Sequence, residues 1–273
     1  MGRIVSAVAG SARRRVAGLL IPVLLAASAA AGLGATLAAG DAAPTRSARV
    51  LSVHPHDPDA FTQGLVFAGG LLYEGTGRYG HSTLRTVDPA SGRVLRQVAL
   101  SSRLFGEGIT LWRDEVIQLT WRAGRILRWS RDGFAPRGEL ALAGEGWGLT
   151  DDGRRWIVSD GSEWLRFLDP ADGRELGRVR VHDGGRPLRQ LNELEYIDGE
   201  VWANIWHREL IARIDPADGR VLGYVDLSAL WPAAERPHRE AVLNGIAHDP
   251  ATGDIFVTGK NWPHLFRIAV VTD

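Results

Sequence analysis

From Arg49 onward the chain sets apolar and polar positions in short alternating runs broken by turn residues, the pattern of antiparallel strands rather than helices. The first complete unit shows it. An apolar stretch opens at Phe61, Gly69-Gly70 turns it, and Leu71–Tyr73 forms a second strand. A loop over Gly75–Gly80 leads to a third strand near Leu84–Val87, and Asp88–Gly92 turns into a fourth over Arg93–Leu100. The pattern predicts a four-stranded meander.

The unit recurs. The turn before its last strand is DPASGRVL at 88–95, DPADGREL at 169–176 and DPADGRVL at 215–222, and it is degraded to Ser130-Arg131-Asp132-Gly133 in the second unit. Asp-Pro presets such a turn and glycine closes it at positive φ. A second echo lies at the start of each unit, where one variable residue is followed by glycine, or once by Glu193, and then by Leu or Ile. The variable residues are Gln63, Glu107, Trp147, Asn192 and Asn244, at intervals of 44, 40, 45 and 52 residues. Self-similarity at that period marks a radial array. The expected fold is therefore all-β, a five-bladed β-propeller of four-stranded antiparallel blades. The fifth unit lacks an outer strand and the orphan strand Arg49–Val53 precedes the first, so this N-terminal strand is expected to close the ring.

Composition changes the picture mainly at the N-terminus. Residues 1–40 combine Arg3 and Arg13-Arg14-Arg15 with an uncharged run from Val16 to Gly40, which reads as a signal peptide or an N-terminal membrane anchor, followed by a linker at 41–47 and one propeller domain over 48–273. The protein is thus expected to be exported, periplasmic or secreted, and to act as a monomer that meets the membrane only through that segment. The first 40 residues hold four arginines and no acid, so the remainder carries 28 basic against 32 acidic residues and offers no basic field to nucleic acid. Cysteine is absent, which excludes disulfides, a thiol nucleophile and Cys-based zinc.

In a radial array the echoed residues converge on one mouth of a central channel, so Gln63, Glu107, Trp147, Asn192 and Asn244 are expected to form a ring. Fourteen residues after Glu107 and Asn192 stand Trp121 and Trp206, and the equivalent loop of the fifth unit presents Thr258-Gly259-Lys260. Most of the ten tryptophans of such a protein pack in the core, the two asparagines can serve simply to bond backbone, and a loop lysine is commonly solvated. Glu107 resists a purely structural reading, because a desolvated carboxylate without a partner is costly. His54-Pro-His56-Asp57 reads as a solvated linker rather than a metal cluster. The glycine-rich YEGTGRYG at 73–80 joins strand to strand, so it offers no helix N-terminus to a phosphate. No metal or cofactor motif is present.

On FTQGL (61–65), YEGTGRYG (73–80), FGEG (105–108), GWGL (146–149), LNELEYIDGEVWANIW (191–206), LNGIA (243–247) and VTGKNWP (257–263), the sequence resembles the plant and bacterial type of glutaminyl-peptide cyclotransferase over about residues 49–270. That resemblance implies a five-bladed propeller that cyclises N-terminal glutamine of peptides or proteins to pyroglutamate, releasing ammonia, without metal or cofactor. It implies proton transfer by Glu107, catalytic assistance from Gln63, Asn192 and Lys260, and a substrate wall of Phe61, Phe105, Trp121, Trp147 and Trp206. Two other readings of the same array are a non-catalytic peptide-binding propeller and a metal-dependent lactonase, the second poorly served by a ring with one acid in five.

Overall fold

The structure is a computed structural model that describes residues 42–271. The export segment read over residues 1–40 lies outside them. Among the described residues no helix is long and apolar enough to cross a membrane.

The strand β1 (Thr45–Pro55) comes first, and it is longer at both ends than the orphan strand read from sequence. Unit one is β2 (Thr62–Ala68), β3 (Leu71–Thr76), β4 (Thr83–Val87) and β5 (Val94–Ala99). Unit two is β6 (Gly106–Trp112), β7 (Glu115–Thr120), β8 (Arg125–Ser130) and β9 (Pro136–Ala141). Unit three is β10 (Leu149–Asp151), β11 (Trp156–Val158), β12 (Trp164–Leu168) and β13 (Glu175–Arg180), after which β14 (His182–Asp183) and β15 (Arg186–Pro187) form a small hairpin. Unit four is β16 (Leu191–Ile197), β17 (Glu200–Ile205), β18 (Leu210–Ile214) and β19 (Val221–Asp226), and unit five is β20 (Leu243–Asp249), β21 (Asp254–Gly259) and β22 (His264–Val270). In the repeated Asp-Pro turns Gly92, Gly173 and Gly219 sit at φ of 68°, 75° and 78°, each donating to the carbonyl of the opening aspartate.

The all-β expectation holds, but the five-bladed propeller does not. Units one, two and three are separate four-stranded sheets, whereas units four and five belong to one eight-stranded sheet in the order β16-β17-β18-β19-β1-β22-β21-β20. The cause is the length of β1. Its residues Ala48–Pro55 pair antiparallel with β22, while Thr45, Arg46 and Ser47 pair in parallel with Tyr224, Val225 and Asp226 of β19. The N-terminal strand thus fuses two units instead of completing a separate fifth sheet. Residues that read as a polar linker supply the parallel pairs, and covering the β19 edge removes a row of open backbone donors and acceptors.

Apolar side chains fill the space between consecutive units. Leu84, Val116 and Leu127 pack between units one and two, Ile117, Leu149 and Trp156 between two and three, and Leu165, Leu194 and Ala212 between three and four. Val225, Ile246 and Phe266 join four to five, and Leu65, Ala247 and Leu265 join five to one, where Phe67 stacks on Phe256 at 5.3 Å. The first strands touch in sequence, β2 on β6, β6 on β10, β10 on β16 and β16 on β20, and β20 touches β2.

The echoed motif has a physical meaning at these first strands. Strand register slips between Thr62 and Gly64, Gly106 and Ile109, Leu191 and Leu194, and Leu243 and Ile246, so four of the five motifs are β-bulges. A bulge adds a residue and re-aims its side chain. The glycine that follows the variable residue lets neighbours nest: a Cβ on Gly148 would overlap the carbonyl oxygen of Asn192. Glu193 occupies the glycine position of unit four, and its buried carboxylate instead accepts the backbone N–H groups of Leu65 at 3.2 Å and Ile246 at 2.9 Å. Burial, with Glu195 nearby, raises its pKa well above the usual carboxylate range.

Candidate functional site

The bulges and the loops beside them bring all nine candidate residues to one cavity of about 200 Å³. Gln63, Glu107, Asn192 and Lys260 line it together with Phe61, Phe105, Trp121, Trp147 and Trp206, and Glu240 is a tenth wall residue. Two elements of the sequence pattern meet here: the variable bulge residues, and the residues after the second strand of units two, four and five.

The polar members are buried. Glu107 is 4% exposed and Lys260 5%, and among the described residues neither side chain makes a hydrogen bond. Burial, assisted slightly by Glu145 and opposed by Lys260, raises the pKa of Glu107 well above the usual carboxylate range. Burial likewise lowers that of Lys260 to about 8, against the pull of Glu107 and Glu240. Both shifts favour neutral forms, as desolvation demands. The Lys260 ammonium stands 4.9 Å from the centre of the Phe61 ring. The Asn192 side chain faces the same space.

Asn244, the fifth echoed residue, does not line the cavity. Its Nδ2 donates to the carbonyl of Thr62 at 2.9 Å and to Oε1 of Gln63 at 3.3 Å, so it bonds backbone and orients a neighbour that does reach the site. Lys260 rides on the turn after β21, where its N–H donates to Val242 and the next residue, Asn261, takes φ of 57° and donates to Ala60.

The wall is a chain of edge-to-face aromatic pairs. Phe105 meets Phe61 at 6.2 Å and Trp121 at 5.5 Å, and Trp147 meets Trp206 at 5.6 Å. One residue that sequence reasoning missed links the two groups. Glu145 Oε2 accepts the indole N–H of Trp121 at 2.7 Å and of Trp147 at 3.0 Å, and its Oε1 accepts Arg122 Nε at 2.8 Å while that guanidinium covers Trp121 at 3.8 Å. Burial opposes the charge of Glu145, but the hydrogen bonds from Trp147, Arg122 and Trp121 outweigh it and hold the pKa low. The signal available was position, since Glu145 directly precedes GWGL. Glu145→Ala would orphan both indole donors. The expected outcome is a shifted tryptophan emission, read by fluorescence.

Glu240 was also missed. It lies in the connection from β19 to β20, the longest interval between echoes, where no repeat marks it, and it approaches His207 at 3.6 Å. The reading of 54–57 as solvated linker is overturned. His56 is buried on Glu74, and Asp57 accepts Arg85 at 2.8 Å. Among the described residues no group of three or more His, Cys, Asp or Glu is placed to hold a metal ion.

Chemically, the cavity pairs a carboxyl group and an amine of perturbed pKa with two side-chain amides, beside a half-buried aromatic wall. Such a site can bind a small polar group, move one proton and stabilise one developing oxyanion.

The family described as glutamine cyclotransferase matches residues 20–270. The chain is similar to a glutaminyl-peptide cyclotransferase of Arabidopsis thaliana, 42% identical over 223 residues, which cover 80% of this chain and 70% of that protein. It is also similar to the crystal structure of Myxococcus xanthus glutaminyl cyclase, with a TM-score of 0.80 and 38% identity over 84% of this chain and all of the other.

Proposed function

The chain belongs to the glutamine cyclotransferase family, and from that premise we propose that it is a glutaminyl-peptide cyclotransferase, closing N-terminal glutamine of peptides or proteins to pyroglutamate. The α-amine nitrogen attacks the side-chain amide carbon, a C–N bond forms, and after collapse of the tetrahedral intermediate the amide nitrogen leaves as ammonia. Nucleophile and electrophile belong to one residue, so the site has to hold the bent conformer and move protons. A peptide α-amine, which ordinarily titrates at about 7.7–8.0, keeps a useful neutral fraction at working pH.

In this reading Glu107 accepts the proton lost by the attacking amine and returns it to the departing nitrogen. A carboxyl group raised toward the pKa of its partner suits both halves of that task. Gln63, Asn192 and Lys260 supply donors to the oxyanion, and the aromatic wall encloses the glutamine side chain. The supporting observation is that Glu107 and Lys260, both buried and without side-chain partners, face one cavity of about 200 Å³. The basic and apolar first 40 residues support export of the protein as part of the same reading.

The test is incubation with a short peptide beginning with Gln, followed by mass spectrometry and an enzyme-coupled ammonia assay. Loss of one ammonia per peptide at a rate above the spontaneous one is expected. Binding without turnover would replace the reading with that of a peptide-binding protein.

A further inference from the structure

Two segments take no part in the chemistry above, His54-Pro-His56-Asp57 and the glutamate of YEGTGRYG, yet they meet in one buried cluster. Glu74 Oε1 accepts Thr62 Oγ1 at 2.7 Å and faces His56 Nε2 at 3.1 Å, while its Oε2 accepts Arg85 Nε at 2.9 Å. Arg85 Nη1 continues to Asp57 at 2.8 Å. The other imidazole nitrogen, His56 Nδ1, lies 2.7 Å from the carbonyl oxygen of Trp262.

The hydrogen-bond pattern fixes the charge. A carbonyl oxygen can only accept, so Nδ1 carries a proton. The Arg85 guanidinium 2.8 Å from Glu74 holds that carboxyl ionised despite its burial, so Nε2 donates as well. His56 is therefore an imidazolium, and with Arg85 against Glu74 and Asp57 the cluster is neutral as a whole. Burial works against the charge on His56, but the ion pair and hydrogen bond with Glu74 outweigh it and raise the pKa. Arg85, reinforced by His56 and Thr62, holds Glu74 far below the usual range despite its burial.

The cluster sits where two parts of the site are joined. The segment before β2 lashes the turn that carries Lys260: His56 N–H donates to Pro263 at 3.0 Å, Asn261 N–H to Ala60 at 2.6 Å, and Asn261 Nδ2 to Pro58 at 2.8 Å. Thr62, held by Glu74, immediately precedes Gln63. We propose that His56, through Glu74, is a positioning residue that locks the Lys260 turn to the strand carrying Gln63, so that both donors meet the substrate in fixed register. The proposal rests on the cyclotransferase reading. It adds a residue that touches neither substrate nor reacting atoms.

Lys260 is the only lysine in the chain against 31 arginines, which makes it a site-specific probe. Reductive dimethylation with 13C-formaldehyde labels it, apart from the chain's amino terminus, whose resonance is separate. His56→Asn keeps a donor for Trp262 and removes the one to Glu74. Its dimethyl-lysine resonance is expected to narrow relative to wild type and the labelling to run several times faster. On a Gln-initiated peptide kcat is expected to fall about tenfold to a hundredfold, with KM changed less. His56→Gln, whose longer amide reaches Glu74, is expected to recover part of the loss. A His56→Asn protein with wild-type labelling and kcat within about twofold of wild type overturns the proposal. Should His56→Asn fail to fold, Asp57→Asn, at the solvent end where the carboxylate is one-third exposed, is expected to shift both readouts in the same direction by less. If the wild-type protein itself does not cyclise the peptide, the functional reading falls, and the lysine resonance alone then decides whether the cluster positions Lys260.

Discussion

Glu107→Gln is expected to lower kcat on a Gln-initiated peptide by about a hundredfold to ten-thousandfold with little change in KM, the range that a positioned proton-transfer group supplies. The substitution keeps the shape and both heavy-atom branches of the side chain, so the bulge between Gly106 and Ile109 stays as built. What it removes is the ability to take up and release a proton. Stability should move the other way. Glu107 is an acid whose folded pKa is raised, so its ionised form is what folding penalises. That penalty is absent below its ordinary value of 4.5 and grows as pH rises toward the folded value. Thermal melts of wild type and variant should coincide near pH 4 and separate above it, with the variant the more stable. A variant that turns over normally removes Glu107 from the proton-transfer role; one that melts lower at neutral pH shows instead a carboxylate with a stabilising partner.

The legibility of this site in the sequence has a specific cause. Bulges recur at the same place in successive units because each first strand must pass its neighbours closely, and a glycine or its substitute is required there. The residue before it is re-aimed by the bulge and can vary, which is why Gln63, Glu107 and Asn192 stood out by their variety. The same logic failed at Asn244, whose side chain turns into the gap beside Thr62. It was also silent on Glu145 and Glu240, which lie outside the repeat.

The fold was less legible, for reasons of pairing rather than pattern. Alternation identifies a strand but does not specify which edge it joins, and Thr45-Arg46-Ser47 carry no apolar signal at all. Their parallel pairing with β19 is made by backbone groups, and it converts two expected sheets into one. His56 was misread for a related reason. Its neighbours in sequence are prolines and acids typical of a loop, while the partners that bury it, Glu74 and Trp262, are far away along the chain.

Lys260 carries the second large expectation. The chain uses arginine 31 times and lysine once, and the single lysine faces the cavity. Arginine would keep the positive charge but brings a broad planar head that cannot release a proton at any working pH. Lys260→Arg and Lys260→Met are therefore both expected to lower kcat/KM by about a hundredfold to a thousandfold, the loss typical of one oxyanion donor. The pH profile separates this from simple anchoring. In wild type, kcat/KM should rise as the substrate amine, which ordinarily titrates at about 7.7–8.0, loses its proton. It should fall again as Lys260 loses its own near pH 8. Lys260→Met should abolish the falling limb and leave a rising one, which belongs to the substrate amine and to ionisation of Glu107. Stability supplies an independent sign: folding penalises the buried ammonium below pH about 8, and the penalty fades as pH rises toward its ordinary 10.5. The Met variant should accordingly melt higher than wild type at pH 7, with the gap closing in alkali. A falling limb that survives in Lys260→Met assigns it to another group, and a change confined to KM makes Lys260 a substrate anchor rather than a donor to the transition state.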